Sequence, residues 1–291
     1  MSCIETKGRY HLVLKDKNGN VKSDLSFTNM ITDKGLEDWF NTGIPTSVYI
    51  QIADNHVTPI RDVTTLGDNS IIGELTPVVT KLTEENGSYT YNHQFIQSFK
   101  ANKKLSANRI GCLNGANKNL FSIANLIDDT GHPYTLDVET GDTVDVLYEF
   151  LFRVNKGYDQ YDLSNGLTEN HLNGNNTVQY TLSVPSNPVP NANLKGLLEP
   201  KLVDIVASQN NILTGVAPQS TKHTLTYTDE GLEIKVIASL DASYEINQLK
   251  QIKDMMLTTP LFNVRLNYNP SINRHITPMT AELEANIVIM R

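Results

Sequence analysis

The sequence predicts an all-β chain of antiparallel sheets, arranged as a sandwich or jelly roll with two short helices. Three observations predict it. Apolar residues alternate with polar ones through most of the long segments, turn-forming residues punctuate those segments, and only two stretches carry helical spacing. Successive side chains of a strand project to opposite faces, so a period of two marks a sheet with one wet side, and such sheets are antiparallel.

The first element is a hairpin. Tyr10, Leu12 and Leu14 alternate, Asp16-Lys17-Asn18-Gly19-Asn20 turns the chain, and Val21, Leu25 and Phe27 alternate on the return arm. Asn-Gly tolerates the positive φ that matches a turn to the twist of its strands. A helix follows over Thr32–Phe40. Thr32 or Asp33 caps it, Leu36, Trp39 and Phe40 share a face, and Gly43 and Pro45 end it.

Farther along, Tyr89, Tyr91, His93 and Phe95 oppose Thr90, Asn92 and Gln94. Val144, Val146, Tyr148, Phe150, Phe152 and Val154 oppose Asp145, Glu149 and Arg153. The period is lost over 156–176 and 185–200, where Asn, Gly, Pro and Tyr favour turns, and both stretches are expected to be loops. Between them Val178, Tyr180, Leu182 and Val184 form a strand, as do Leu232, Ile234, Val236, Ala238 and Leu240 after them. Ile246, Leu249, Ile252, Met256 and Leu257 are spaced for a second helix over about Ser243–Leu257, with Pro260 beyond its end. Leu283, Ala285, Ile287 and Ile289 close the chain as a last strand. The break near residue 157 divides the sequence into an N-terminal β lobe (1–157) and a C-terminal β lobe (158–291), or else the two are one continuous domain.

Composition narrows the function. The 291 residues carry a formal charge of -8, which argues against gripping nucleic-acid phosphate, and Lys103-Lys104 is the densest basic spot. No apolar run approaches the roughly 18 residues that span a bilayer, so no membrane insertion is expected. The opening MSCIETKGRY has no apolar core of a secretory signal, which points to folding in a cytosol. Cys3 and Cys112, the two cysteines, read as free thiols. No repeat of 20–50 residues marks a solenoid.

Motifs for chemistry are scarce. Asp16-x-Asn18-x-Asn20 starts like an EF-hand loop, but Val21 and Phe27 stand where that loop needs Gly and a bidentate Glu, so the hairpin reading prevails. Asp128-Asp129-Thr130-Gly131-His132-Pro133 reads as a tight turn between a strand ending near Ile127 and one starting near Tyr134. The seven histidines stand singly, outside any HxH or HExxH spacing. There is no GxSxG, P-loop or GxGxxG, and the expectation is a non-enzyme without metal or cofactor. A pair of carboxylates for glycoside hydrolysis is a matter of folding that sequence leaves open. Tyr158, Tyr161 and His171, in the Asn-rich loop, are the candidate interface or glycan-stacking residues.

Two segments are similar to a family. Phe27-Thr28-Asn29-Met30-Ile31-Thr32-Asp33-Lys34-Gly35-Leu36 resembles the F-x-N-[LM]-[IV]-T-x-x-G-L opening of tailed-bacteriophage tail-fibre and tail-appendage proteins. Asn108-Arg109-Ile110-Gly111 and then Leu120-Phe121-Ser122-Ile123-Ala124-Asn125-Leu126-Ile127 through Pro133 resemble that family's G…LFSRALI-D-x-x-G-x-P segment. A turn at Gly141-Asp142 leads into Val144-Asp145-Val146-Leu147-Tyr148-Glu149-Phe150-Leu151-Phe152-Arg153, similar to its L-x-V-x-Y-E-[LF]-R. Pro270-x-x-Asn273 and the closing strand to Arg291 are similar to its final P-x-x-K-t…W-x-R. Ile123, Asn273 and Ile289 stand where the family has Arg, Lys and Trp.

The resemblance implies a structural virion protein of a phage tail, neck or appendage, made in the host cytoplasm. It would form a homo-oligomer that docks on other phage virion proteins, with no catalytic residues. Two readings stand beside it: a receptor-binding protein whose 156–176 loop contacts a host surface glycan, and a glycan-cleaving enzyme. Within the motif, Asn29 is expected to satisfy backbone groups where its strand ends, and Gly35 to let the first helical turn approach a sheet.

Overall fold

The computed structural model describes residues 2–55, 58–73, 76–85, 88–154, 158–162, 177–183, 195, 202–206, 212–216, 220–240, 251–258, 263–273 and 281–290. Strands β1 (Ser2–Lys15) and β2 (Val21–Ile31) precede helix α1 (Asp33–Thr42). Then come β3 (Ser47–Ala53), β4 (Ser70–Ile72), β5 (Thr76–Glu85), β6 (Ser88–Lys100), β7 (Leu105–Ala107), β8 (Arg109–Asn114), β9 (Leu120–Asn125), β10 (Leu136–Val138) and β11 (Thr143–Val154). The rest are β12 (Tyr158–Asp162), β13 (Thr177–Ser183), β14 (Leu202–Val206), β15 (Ile212–Val216), β16 (Ser220–Tyr227), β17 (Gly231–Leu240), β18 (Gln251–Thr258), β19 (Asn263–Asn273) and β20 (Ala281–Met290). The fold is all-β, as the alternation predicts.

The long strands close into a ring in the order β1-β2-β9-β8-β3-β5-β6-β11 and back to β1, antiparallel throughout. Two joints are short: β2 meets β9 through Met30↔Ile123 and Ile31↔Ser122, and β3 meets β5 through Ser47↔Pro77 and Val48↔Thr76. These are the corners at which one layer turns into the other. The space between the layers is filled by the inward rows of the strands, among them Tyr10, Leu12, Phe27, Ile50, Phe95, Phe121, Tyr148 and Phe150. Trp39 of α1 is fully buried against the edges and faces of Phe150 and Phe152. A second cluster (Ala53, Leu66, Leu113, Leu120 and Ile123) lies apart from the main core.

β1 serves two partners along one edge. Residues 8–15 pair with β2, while Ser2, Ile4 and Glu5 pair in parallel with β20. Through β20 the sheet continues into β17 and then β16. Strands from both sides of residue 157 therefore share the large sheet; residue 157 itself lies outside the described residues. A six-stranded sheet, β12-β13-β19-β18-β14-β15, comes wholly from 158–273, and β7 pairs with β10.

The hairpin turn forms as expected, and the 128–133 turn repeats its geometry. In each, the Asp Oδ1 accepts from the backbone N–H two and four residues on (Asn18 and Asn20; Thr130 and His132), and the Asp carbonyl accepts from the Gly N–H (Gly19; Gly131). Both glycines have positive φ (87° and 86°), which L side chains resist.

Three expectations change. Gln251–Thr258 is strand β18 rather than the end of a helix; it pairs with β14 on one side and β19 on the other, and residues 241–250 of that expected helix lie outside the described residues. A register shift between Ile252 and Asp254 interrupts the alternation that would have marked a strand, and two-sided pairing outweighs helical spacing. The 156–176 loop contains strand β12, paired with β13. Asn29 does not serve the strand end: its amide lies over Gly8, where a Cβ would come within 1.7 Å of Oδ1, and it makes no well-aligned hydrogen bond among the described residues.

Candidate functional site

The site is built on the outward face of β5, β6, β11 and β1. Their inward rows are the aromatic core, so the alternate residues face away from it, and the strand registers align them in rows across the sheet. One row is Ile96–Leu147–His11 and the next is Val79–Gln94–Glu149–Arg9. Lys81–Asn92–Leu151–Lys7 and Thr83–Thr90–Arg153–Glu5 follow.

A wet face of this kind should be polar throughout, and this one is not. Ile96 is 66% exposed and Val79 is 54% exposed, with Leu147 and Leu151 half-buried beside them. Two exposed and two half-buried aliphatic side chains thus lie on neighbouring strands of this outward face.

Around these residues the polar groups are held in place. Glu149 accepts from the amides of Asn92 (2.9 Å) and Gln94 (2.7 Å). Partial burial works against its charge, but those bonds, with Arg9 and Lys81 nearby, keep the carboxyl below its ordinary pKa. Asp145 is likewise opposed by burial and held low by Lys15 at 2.7 Å and by Ser98. His11 pairs with Asp24 at 2.7 Å. The result is a pre-ordered pattern of donors, acceptors and apolar groups.

At one end the face runs into a cavity of about 590 Å³, where β1 changes partner from β2 to β20. Thr6 fastens this junction by donating to the carbonyl of Met290 at 2.6 Å. Glu5, Lys7, Leu151 and Arg153 line the cavity on the outer side, and Asn29 lines it near Gly8.

Below lies a polar cluster in the core. The hydroxyls of Tyr10 and Ser122 are 2.9 Å apart, joining β1 to β9 across the layers. Burial pushes the phenols of Tyr10 and Tyr148 and the thiol of Cys112 up, so all three are neutral near pH 7. A buried thiol kept protonated is inert as a nucleophile. Cys112 is a free cysteine. His93 is buried, with its pKa lowered to about 4 by desolvation, and its Nδ1 is 2.9 Å from the Thr80 hydroxyl. No group of three His, Cys, Asp or Glu residues suited to a metal occurs among the described residues.

Of the residues expected from sequence, Tyr158 and Tyr161 lie on β12, an end strand of the six-stranded sheet, opposite Thr181 and Val178. His171 lies outside the described residues. Sequence reasoning passed over the outward face, although a signal was there. Ile96 continues the polar series Thr90, Asn92, Gln94, and Leu147 and Leu151 interrupt the polar series Asp145, Glu149, Arg153. Compared with known proteins, the chain matches no protein-family model, no curated protein and no solved structure.

Proposed function

We propose that this chain is a structural subunit of a bacteriophage tail, neck or appendage, assembling as a homo-oligomer and binding neighbouring virion proteins. The observation that carries this reading is the outward face of β5, β6 and β11, where Val79, Ile96, Leu147 and Leu151 stand among fixed polar groups. That composition suits a protein partner, which supplies apolar cover and a polar rim together. A second line of support is that the segments resembling the phage family meet in space. Thr32 N–H donates to the Phe121 carbonyl at 3.1 Å, and the Thr32 hydroxyl donates to the Leu120 carbonyl at 2.5 Å.

The test is genetic. Removing the gene from the phage genome that encodes it is expected to yield particles lacking a tail, neck or appendage component visible by electron microscopy. Particles of normal composition and infectivity would refute the proposal.

A further inference from the structure

We infer that the cavity where β1 passes from β2 to β20 seats an extended acidic segment of the neighbouring virion protein. Carboxylates of that segment lie at Lys7 and Arg153, and its apolar side chains lie against Leu151 and Met290. This site rests on the virion role proposed above and names the chemistry of the partner.

Strand pairing opens the cavity. The ladder between β1 and β2 ends at Gly8↔Asn29, and that between β1 and β20 ends at Glu5↔Met290, so Thr6 and Lys7 fall in the fork between them. The volume there, about 590 Å³, lies within the range of about 300–1,000 Å³ over which surface pockets take up a guest.

Charge selects the guest. The lining holds two cations, Lys7 and Arg153, and one carboxylate, Glu5, for a net charge of +1 on a chain whose formal charge is -8. Lys7 stands opposite Leu151 and Arg153 opposite Glu5, which makes the two cations diagonal neighbours on adjacent strands. Like charges within reach across a strand pair destabilise it, and an anion set between them reverses the effect. Both side chains are exposed, and neither enters an ion pair among the described residues. Glu5 is engaged in an interaction of its own.

The apolar part of the lining selects a polypeptide. Leu151 is half-buried and Met290 is an exposed large hydrophobic residue, and both border the cavity beside the cations. Leu151 also belongs to the outward face that carries Leu147 and Ile96, so the cavity continues the surface assigned to the neighbour. An inorganic anion leaves those apolar groups uncovered, and an uncharged segment leaves the cations without counter-charge. A segment that alternates acidic and apolar side chains meets both.

The full-length chain is titrated, with anisotropy as the readout, against a short fluorescent peptide of alternating Glu and Val. Saturable binding that weakens as salt rises is expected, and the same peptide with Gln for Glu is expected to bind at least about tenfold more weakly. Lys7→Glu and Arg153→Glu, at exposed positions that spare the fold, are each expected to weaken binding at least about tenfold. Lys100→Glu makes the same change of charge at the far end of β6 and is expected to bind as wild type does. No saturable binding at low salt, equal binding of the Gln peptide, or a loss in Lys100→Glu equal to that in the other two variants would overturn the site. Displacement of the peptide by D-glucuronate but not by free glutamate would overturn it too, assigning the cavity to an acidic sugar. Each of these results leaves the virion role itself to the gene-deletion test.

Discussion

Gly35 and Phe121 meet backbone to backbone: a Cβ at Gly35 would lie 2.2 Å from the Phe121 carbonyl oxygen. The first turn of α1 is thereby pressed onto β9. Thr32 completes the joint, its hydroxyl accepting from Gly35 N–H at 2.9 Å while donating to Leu120. Gly35→Ala is expected to lower stability by about 2–4 kcal/mol, because the backbone it meets cannot swing aside. Thr32→Val is expected to cost about 1–2 kcal/mol through the lost cap. Gly131→Ala, a positive-φ site with open space around it, is expected to cost only about 1 kcal/mol. Urea unfolding midpoints of the three variants give the ranking.

A second joint concerns Asp38, a buried carboxylate that accepts from the amides of Asn114 (3.0 Å), Asn117 (2.9 Å) and Asn119 (3.0 Å). It fixes the β8–β9 turn, in which Lys118 holds a positive φ of 59°. Asp38→Ala leaves three amides without their acceptor and is expected to destabilise the chain by about 2–4 kcal/mol. Amide hydrogen exchange at residues 114–119 is expected to accelerate more than exchange elsewhere in the ring.

These joints show what the sequence could and could not tell. Alternation revealed β6 and β11 because each has one face in the core, and the hairpin because Gly19 marks its turn. The capping role of Thr32 and the closeness required at Gly35 were also readable, since both are local. The ring was not: its corners rest on the residue pairs Met30↔Ile123, Ile31↔Ser122, Ser47↔Pro77 and Val48↔Thr76, joined across long sequence distances. β18 was missed because a register shift broke its period. Asp38 looked like an ordinary polar helix residue, since its three asparagine partners lie more than 70 positions away. The outward aliphatic residues were legible in principle, but only once the core face of each strand was known.

His93 sets a pH dependence. Desolvation lowers its pKa from the ordinary 6.5 to about 4, so the unfolded chain takes up a proton at higher pH than the folded one. Its contribution is therefore intact above about pH 6.5 and is lost as pH falls toward 4, by roughly 3 kcal/mol in total. Unfolding free energies measured between pH 7 and 4 are expected to show this slope. His93→Phe, which keeps a ring stacked on Phe152, is expected to flatten it.

Ile96→Lys separates folding from assembly. The side chain is 66% exposed, so unfolding free energy is expected to change by no more than about 0.5 kcal/mol. Incorporation of the variant into particles, read by mass spectrometry of purified virions, is expected to fall sharply relative to wild type. Lys81→Ala, at the margin of the same face, is expected to be incorporated normally.

The most direct measurement is an electron cryo-microscopy map of the intact particle. Several symmetry-related copies of this chain are expected in the tail, neck or an appendage, with a neighbouring protein covering Ile96 and Leu147. A particle that lacks the chain, or one in which that face of every copy is open to solvent, would contradict the proposed role.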